Sequence, residues 1–138
     1  DNNTIYFASF ADSTTQRCII YSDGDLQNHD NSYGAISDER LKQDITVAPS
    51  QWDDVKALAA LAKKYRFKTD AEKNPAAPLH LGLVAQEVLN VSPGLVQVGS
   101  DGMYSVQYSI AYMKALKALG EAMERIESLE ARVTALGG

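Results

Sequence analysis

The chain has 138 residues, of which 45% are hydrophobic, so it is long enough for one or two small domains with a modest core. Its 18 acidic and 13 basic side chains give a net charge of −5, which argues against a nucleic-acid partner, because such a partner needs a basic stripe. No segment approaches the roughly 20 apolar residues of a membrane span, so no membrane partner is expected. The single cysteine, Cys18, excludes an internal disulfide and a multi-cysteine metal site, and we expect no metal and no cofactor. Because the chain begins at Asp1 without a signal peptide, we expect a fragment of a longer protein.

Residues 1–36 predict a short β segment. The stretches 4–10 and 17–21 are rich in β-branched and aromatic residues, and the run 23–25 (Asp-Gly-Asp) gives a strong turn signal. Two short strands alone are marginal in water. We therefore expect this segment to pair with a partner, most simply with copies of itself, and we interpret its aromatic side chains as strand core.

Residues 37–107 predict a small mixed α/β domain. Ser50 is typical of a helix N-cap, and an apolar stripe at helical spacing follows it to residue 62. Residues 65–69 alternate as a strand does, and residues 79–89 begin extended and turn helical near Ala85. Residues 95–106 predict a hairpin around a Gly-Ser-Asp-Gly turn.

Residues 108–138 predict a C-terminal helix, which completes an α+β fold class. The apolar residues of its second half recur at alternating spacings of three and four, as in a coiled coil. The predicted seam has Leu119, Ile126 and Val133 at the a positions and Ala122, Leu129 and Leu136 at d. The alternative is an amphipathic helix packed on its own domain, but a strict a/d seam is narrower than a globular face needs. The number of helices in the coiled coil does not follow from this pattern.

The run 37–42 (Ser-Asp-Glu-Arg-Leu-Lys) places a possible nucleophile five residues before a possible general base. A serine hydroxyl is a poor nucleophile until a base takes its proton, and a lysine can be that base when burial favours its neutral form. Ser37 and Lys42 can meet if the backbone between them makes about one helical turn. The simpler interpretation is an N-cap followed by acidic residues in the first turn of a helix. His29 lies in a polar loop and His80 between two leucines, so neither completes a conventional triad.

Two motifs resemble those of a known family. The run 37–42 followed by Ile45, and the later run 82–88 (Gly-Leu-Val-Ala-Gln-Glu-Val) followed by Pro93, are similar to the signature of peptidase family S74. This family comprises the intramolecular chaperone domains at the C-terminal end of phage tail spikes and tail fibres. Tyr104 and Tyr108 before a terminal helix also fit. The resemblance covers residues 34–136.

The resemblance implies a function as well as a fold. A domain of this family assembles its parent fibre into a homotrimer in the host cytoplasm and then releases itself by autoproteolysis, while the fibre stays in the virion tail. Cleavage would fall at the Ile36–Ser37 bond, with Ser37 as nucleophile and Lys42 as base. The domains would then be the end of the parent fibre (1–36), the chaperone and autoprotease (37–107) and a trimerisation helix (108–138). The partners would be further copies of the chain and the fibre domain before Ser37.

Four further residues are candidates for supporting roles. Asp38 either orients Lys42 or holds the turn, and Arg40 pairs either with Glu87 or with an outward-facing partner. Gln86 and Glu87 either position the scissile carbonyl, supply oxyanion contacts or belong to a packing and capping element. Two rival functions stay open: a non-catalytic trimerisation or adaptor module, and a glycan- or receptor-binding fibre tip.

Overall fold

The computed structural model describes residues 5–137, and the chain divides into two compact units, Asp1–Thr46 and Val47–Gly138. The first residue of the predicted strand 4–10, Thr4, lies outside the described residues. The architecture is the mixed α and β fold that the sequence predicts, with strands at the N-terminal end and a long helix at the C-terminal end.

The first unit contains a three-stranded antiparallel sheet. Its strands follow chain order as β1 (Tyr6–Ala11), β2 (Gln16–Tyr21) and β3 (Leu26–Asn28). Strand β3 was not predicted, because three residues carry too short a pattern. Gly24 forms the turn before β3 with a φ of 100°, a left-handed conformation that glycine adopts without steric cost.

The aromatic side chains of the first unit are not core in the single chain. Ile19 is buried, whereas Tyr6, Phe7 and Phe10 are each more than half exposed and Tyr21 is half-buried. The interpretation of these rings as strand core is therefore wrong for one copy alone. Three short strands present too little surface to cover both faces of their sheet, so the rings stay in solvent unless something else packs on them.

The second unit alternates short helices and short strands before one long helix. Its elements are α1 (Trp52–Ala60), β4 (Lys63–Tyr65), α2 (Lys68–Lys73), β5 (His80–Gly82), α3 (Ala85–Leu89), β6 (Val96–Val98), β7 (Tyr104–Val106) and α4 (Tyr108–Gly137). β4 pairs antiparallel with β5, and β6 pairs antiparallel with β7 as the predicted hairpin. The change from extended to helical backbone at Ala85 is also as predicted.

Two local predictions need correction. The strand predicted over residues 65–69 is the earlier β4, and residues 68–73 form the helix α2 instead. The alternation of Tyr65 and Phe67 is real, but their rings meet each other rather than lining one long strand. At the start of α1 the cap position belongs to Gln51; Ser50 lies one residue earlier, where its Oγ accepts a 3.3 Å hydrogen bond from Trp52 N.

A small apolar core holds the second unit together. Leu58 of α1, Val88 of α3 and Leu95 meet in it, and Val88 and Leu95 are fully buried. Burying side chains of this size typically contributes about 1.5–3 kcal/mol each. Because Val88 is a residue of α3, this core holds in place the helix that carries Gln86 and Glu87.

Polar contacts attach α1 to α4. Lys114 Nζ donates to Gln51 Oε1 at 2.7 Å and to Asp54 Oδ2 at 2.8 Å, and hydrogen bonding and charge from Lys114 lower the pKa of Asp54. About two turns further along α4, Glu121 accepts hydrogen bonds from Ser50 Oγ and from Gln51 N. These contacts lie on the first half of α4, and Arg125 extends them into the second half, with its guanidinium 3.6 Å from the centroid of the Trp52 ring of α1.

The predicted heptad seam, which begins at Leu119, lies on an exposed face of α4. Of its a and d side chains, Leu119, Ile126, Leu129 and Val133 are each more than half exposed, and Leu136 is 88% exposed. The prediction of a helix packed on its own domain thus fits α4 as far as Arg125, whereas the helix is exposed from residue 126 onward. The coiled coil itself stays a prediction.

Candidate functional site

Ser37 and Lys42 are in direct contact. Asp38 is extended, residues Glu39–Leu41 form one turn of 3-10 helix, and Lys42 is extended again. The turn is closed by hydrogen bonds from Leu41 N to Asp38 O and from Lys42 N to Glu39 O, at 3.1 and 3.0 Å. This single turn folds the chain back, so that Lys42 Nζ donates to Ser37 Oγ at 2.5 Å.

Asp38, not Ser37, is the N-cap of this turn. Its Oδ1 accepts a 2.9 Å hydrogen bond from Arg40 N. The Arg40 guanidinium donates two hydrogen bonds to the same carboxylate, from Nε to Oδ1 at 2.9 Å and from Nη2 to Oδ2 at 2.7 Å. Hydrogen bonds from this side chain, and then from the backbone N–H, lower the pKa of the Asp38 carboxyl, and the carboxylate in turn raises the pKa of Arg40. Arg40 thus forms an exposed ion pair with Asp38.

The dyad and its neighbours are exposed in the single chain. Ser37 and Lys42 both lie on the surface. Ile36, Leu41 and Ile45, which flank them in sequence, are 88%, 75% and 65% exposed. The hydroxyl and the amine are therefore close enough for proton transfer, but water surrounds them, and a lysine amine becomes a base more readily when burial favours its neutral form.

The second motif begins with a glycine that the structure requires. Gly82 ends β5, and a Cβ at this position would lie 2.7 Å from Tyr108 Oη and 3.2 Å from Tyr65 Cε1. The Tyr108 hydroxyl accepts a 3.0 Å hydrogen bond from Leu83 N. The motif therefore ties β5 to the first residue of α4, and any side chain at position 82 would push the tyrosine away.

Gln86 and Glu87 lie on α3 in the second unit. Gln86 is exposed. Glu87 Oε1 pairs with Lys63 Nζ of β4, whereas Glu87 Oε2 is buried without a hydrogen-bond partner among the described residues. The roles predicted for Gln86 and Glu87 at the scissile carbonyl stay predictions.

The two histidines belong to other clusters. His80 stacks on Tyr65 with ring centroids 5.7 Å apart and meets Phe67 edge-on at 5.4 Å. His29 Nδ1 contacts Asp30 Oδ1 at 2.6 Å. Within residues 5–137, no group of three or more His, Cys, Asp or Glu side chains is arranged to hold a metal ion. None of the described helices has the length and apolar character that a membrane crossing requires.

Several contacts around the second motif were missed by the sequence reasoning. The pair between Lys63 and Glu87 depends on the alignment of β4 with β5, which brings together residues 24 positions apart. The bond between Ser92 Oγ and Asp54 Oδ2 spans 38 positions. A charge pattern along one sequence carries no signal for contacts of this kind.

A protein-family model matches the part of the chain that contains both motifs. The family model described as the chaperone of endosialidase, Peptidase_S74, matches residues 37–97, a stretch that starts at Ser37 and includes Gly82 and Glu87. No curated protein matches the chain.

A solved structure with a similar fold is the carboxy-terminal domain of the bacteriophage T5 L-shaped tail fibre with its intramolecular chaperone domain. The similarity has a TM-score of 0.51 at 17% sequence identity and covers 85% of this chain and 41% of that one, so it concerns the fold alone. The family match, which is independent of that fold, confirms over residues 37–97 the predicted resemblance to peptidase family S74.

Proposed function

We propose that this chain carries an intramolecular chaperone that trimerises a phage tail fibre or tail spike and then cleaves itself free at the Ile36–Ser37 bond. The observation that carries the proposal is the 2.5 Å contact between Ser37 Oγ and Lys42 Nζ, directly after the exposed Ile36. The family match, which begins at Ser37, supports it. Residues 1–36 would be the end of the parent fibre, residues 37–107 the chaperone and autoprotease, and residues 108–138 the trimerisation helix.

The proposed reaction needs only the serine, the lysine and one water. The neutral Lys42 amine takes the proton from Ser37 Oγ, which then bonds to the carbonyl carbon of Ile36. In the simplest route the bond from that carbon to Ser37 N breaks, the nitrogen takes the proton back from Lys42, and an ester joins Ile36 to Ser37 Oγ. Water then hydrolyses the ester, leaving the Ile36 carboxylate and the free Ser37 hydroxyl.

The exposed apolar surfaces support assembly before cleavage. A coiled coil along the seam of α4 would hold three chains in register and raise the local concentration of their fibre ends. An intertwined β fibre has many contacts between distant residues, so its chains gain most from alignment before they pair. Packing of Ile36, Leu41 and Ile45 between the chains would also remove water from Lys42 and so favour its neutral amine.

Cleavage would complete the cycle in the host cytoplasm, where fibres are assembled. Once the chaperone leaves, the fibre in the virion tail has no aid for refolding, and its persistence depends on a slow unfolding rate. The chaperone would therefore act once per chain, on its own backbone.

The test is expression of the chain followed by a denaturing gel and mass spectrometry. We expect the 15.0 kDa wild-type chain to split after residue 36, into pieces of 36 and 102 residues. The variant Ser37→Ala should stay whole, while Ser13→Ala, which alters an exposed serine in the same unit, should split like the wild type. An intact wild-type chain that has assembled would refute the cleavage.

The second candidate is a non-catalytic trimerisation module. The cap of Asp38 on the turn favours it, because a capped turn has a structural role without any chemistry. On that view the wild-type chain assembles through α4 and remains whole, so the same gel separates the two functions.

A further inference from the structure

The contacts around Asp38 go beyond the dyad. Ser37 and Lys42 meet because a single turn of 3-10 helix separates them, and a turn of three residues has little stability of its own. Two backbone hydrogen bonds close it, from Leu41 N and from Lys42 N. Anything that holds this turn closed also holds the amine against the hydroxyl.

We propose that Asp38 is a positioning residue for the cleavage reaction. Its carboxylate and the Arg40 side chain form an ion pair, the Asp38–Arg40 lock, which stabilises the turn that keeps Lys42 Nζ on Ser37 Oγ. This inference rests on the proposed function. The Asp38 carboxylate accepts three hydrogen bonds of 2.7–2.9 Å, which come from the backbone N–H, Nε and Nη2 of Arg40. None of the described hydrogen bonds joins Asp38 to Lys42, so the carboxylate acts through the backbone of the turn and not on the amine.

With the Asp38–Arg40 lock in place, the contact between Ser37 and Lys42 exists within a single chain. All its members lie within residues 37–42, so no second chain is needed to bring the hydroxyl and the amine together. Assembly would then contribute burial of the dyad rather than its geometry. The hydrogen bonds from Arg40 lower the pKa of Asp38, which favours the charged carboxylate of this ion pair.

The experiment compares cleavage rates after dilution of uncleaved chain from denaturant into buffers across a pH series. Asp38→Ala removes the cap and the ion pair, and we expect cleavage about fivefold slower, the usual consequence of a lost N-cap. Asp38→Asn keeps an oxygen that can accept from Arg40 N and should recover most of the rate. Glu39→Ala is the matched control, because it removes an exposed carboxylate from the same turn.

The pH series separates positioning from a direct effect on the amine. If Asp38 acts through the turn, Asp38→Ala lowers the rate by the same factor at every pH and leaves the midpoint of the profile unchanged. A profile that moves to lower pH would mean that Asp38 acts on the charge of Lys42, which overturns the inference. A wild-type rate in Asp38→Ala, or an equal loss in Glu39→Ala, overturns it too.

Arg40→Ala tests the same lock without touching the cap. The side chain is largely exposed, so its removal leaves no cavity, and we expect cleavage about twofold slower. If Asp38→Ala fails to assemble, Arg40→Ala still tests whether the ion pair matters for cleavage. An unchanged cleavage rate in Arg40→Ala would contradict the proposed role of the Asp38–Arg40 lock. A wild-type chain that does not cleave refutes the proposed function. If the wild type cleaves and the Asp38 and Arg40 variants cleave at the same rate, only this inference is refuted.

Discussion

At the scale of single residues, the decisive question is whether Lys42 acts as a base or only as a hydrogen-bond donor. In the structure its ammonium donates to Ser37 Oγ, and that contact alone is compatible with both roles. An arginine at this position could donate in the same way, but its guanidinium does not lose a proton in proteins. The substitution therefore separates the two roles.

We expect Lys42→Arg to leave the chain uncleaved, with a loss of about 100-fold or more, the usual contribution of a general base. Lys56→Arg, an exposed lysine on α1, is the control and should cleave normally. Pulse–chase labelling after cell-free synthesis gives the rates, and a Lys42→Arg chain that cleaves at the wild-type rate would exclude the lysine as base.

The sequence allowed part of this site to be predicted. The contact between Ser37 and Lys42 follows from a spacing that one turn can close, so it is a local feature. The choice of Asp38 as cap is equally local, but Ser37 and Asp38 are both good caps and the sequence does not separate them. The pair between Lys63 and Glu87 depends on strand register and could not be predicted.

At the scale of elements, Gly82 of β5 lies against the side chain of Tyr108, the first residue of α4. We expect Gly82→Ala to lower the free energy of unfolding by about 1–3 kcal/mol, because its Cβ would overlap Tyr108 Oη at 2.7 Å. Tyr108→Phe removes that oxygen, so Gly82→Ala should cost less in a Tyr108→Phe background. Urea denaturation of the four chains of this cycle, all carrying Ser37→Ala, measures the difference, and strictly additive losses would count against the overlap.

The elements were predicted where their pattern is long or well marked. The helix α4 and the hairpin of β6 and β7 have, respectively, a long apolar repeat and a Gly-rich turn. The short helix α2 has neither, since it is polar and only six residues long, and the preceding aromatic alternation suggested a strand. Phe67, the extended residue before α2, packs its ring against His80, and a tertiary contact of this kind is not visible in the local sequence.

At the scale of the whole molecule, the proposed function couples assembly to cleavage. The exposed seam on α4 and the exposed apolar residues beside the dyad are the surfaces that an assembly would cover. If burial of Lys42 requires assembly, a substitution far from the dyad in sequence should still slow cleavage. The seam of α4 offers such a substitution.

We expect Leu129→Asn, at a d position of the seam, to weaken association and slow cleavage together. Burial of a leucine contributes about 1.5–3 kcal/mol, so the association constant should fall at least about tenfold, and cleavage should become dependent on chain concentration. Ala131→Asn places the same side chain on the outer face of α4 and should change neither property. Sedimentation of the Ser37→Ala forms gives the mass of the assembly, and cleavage is followed in the forms that retain Ser37. A Leu129→Asn chain that is monomeric yet cleaves at the wild-type rate would separate the two events, because the dyad would then need no burial by neighbouring chains.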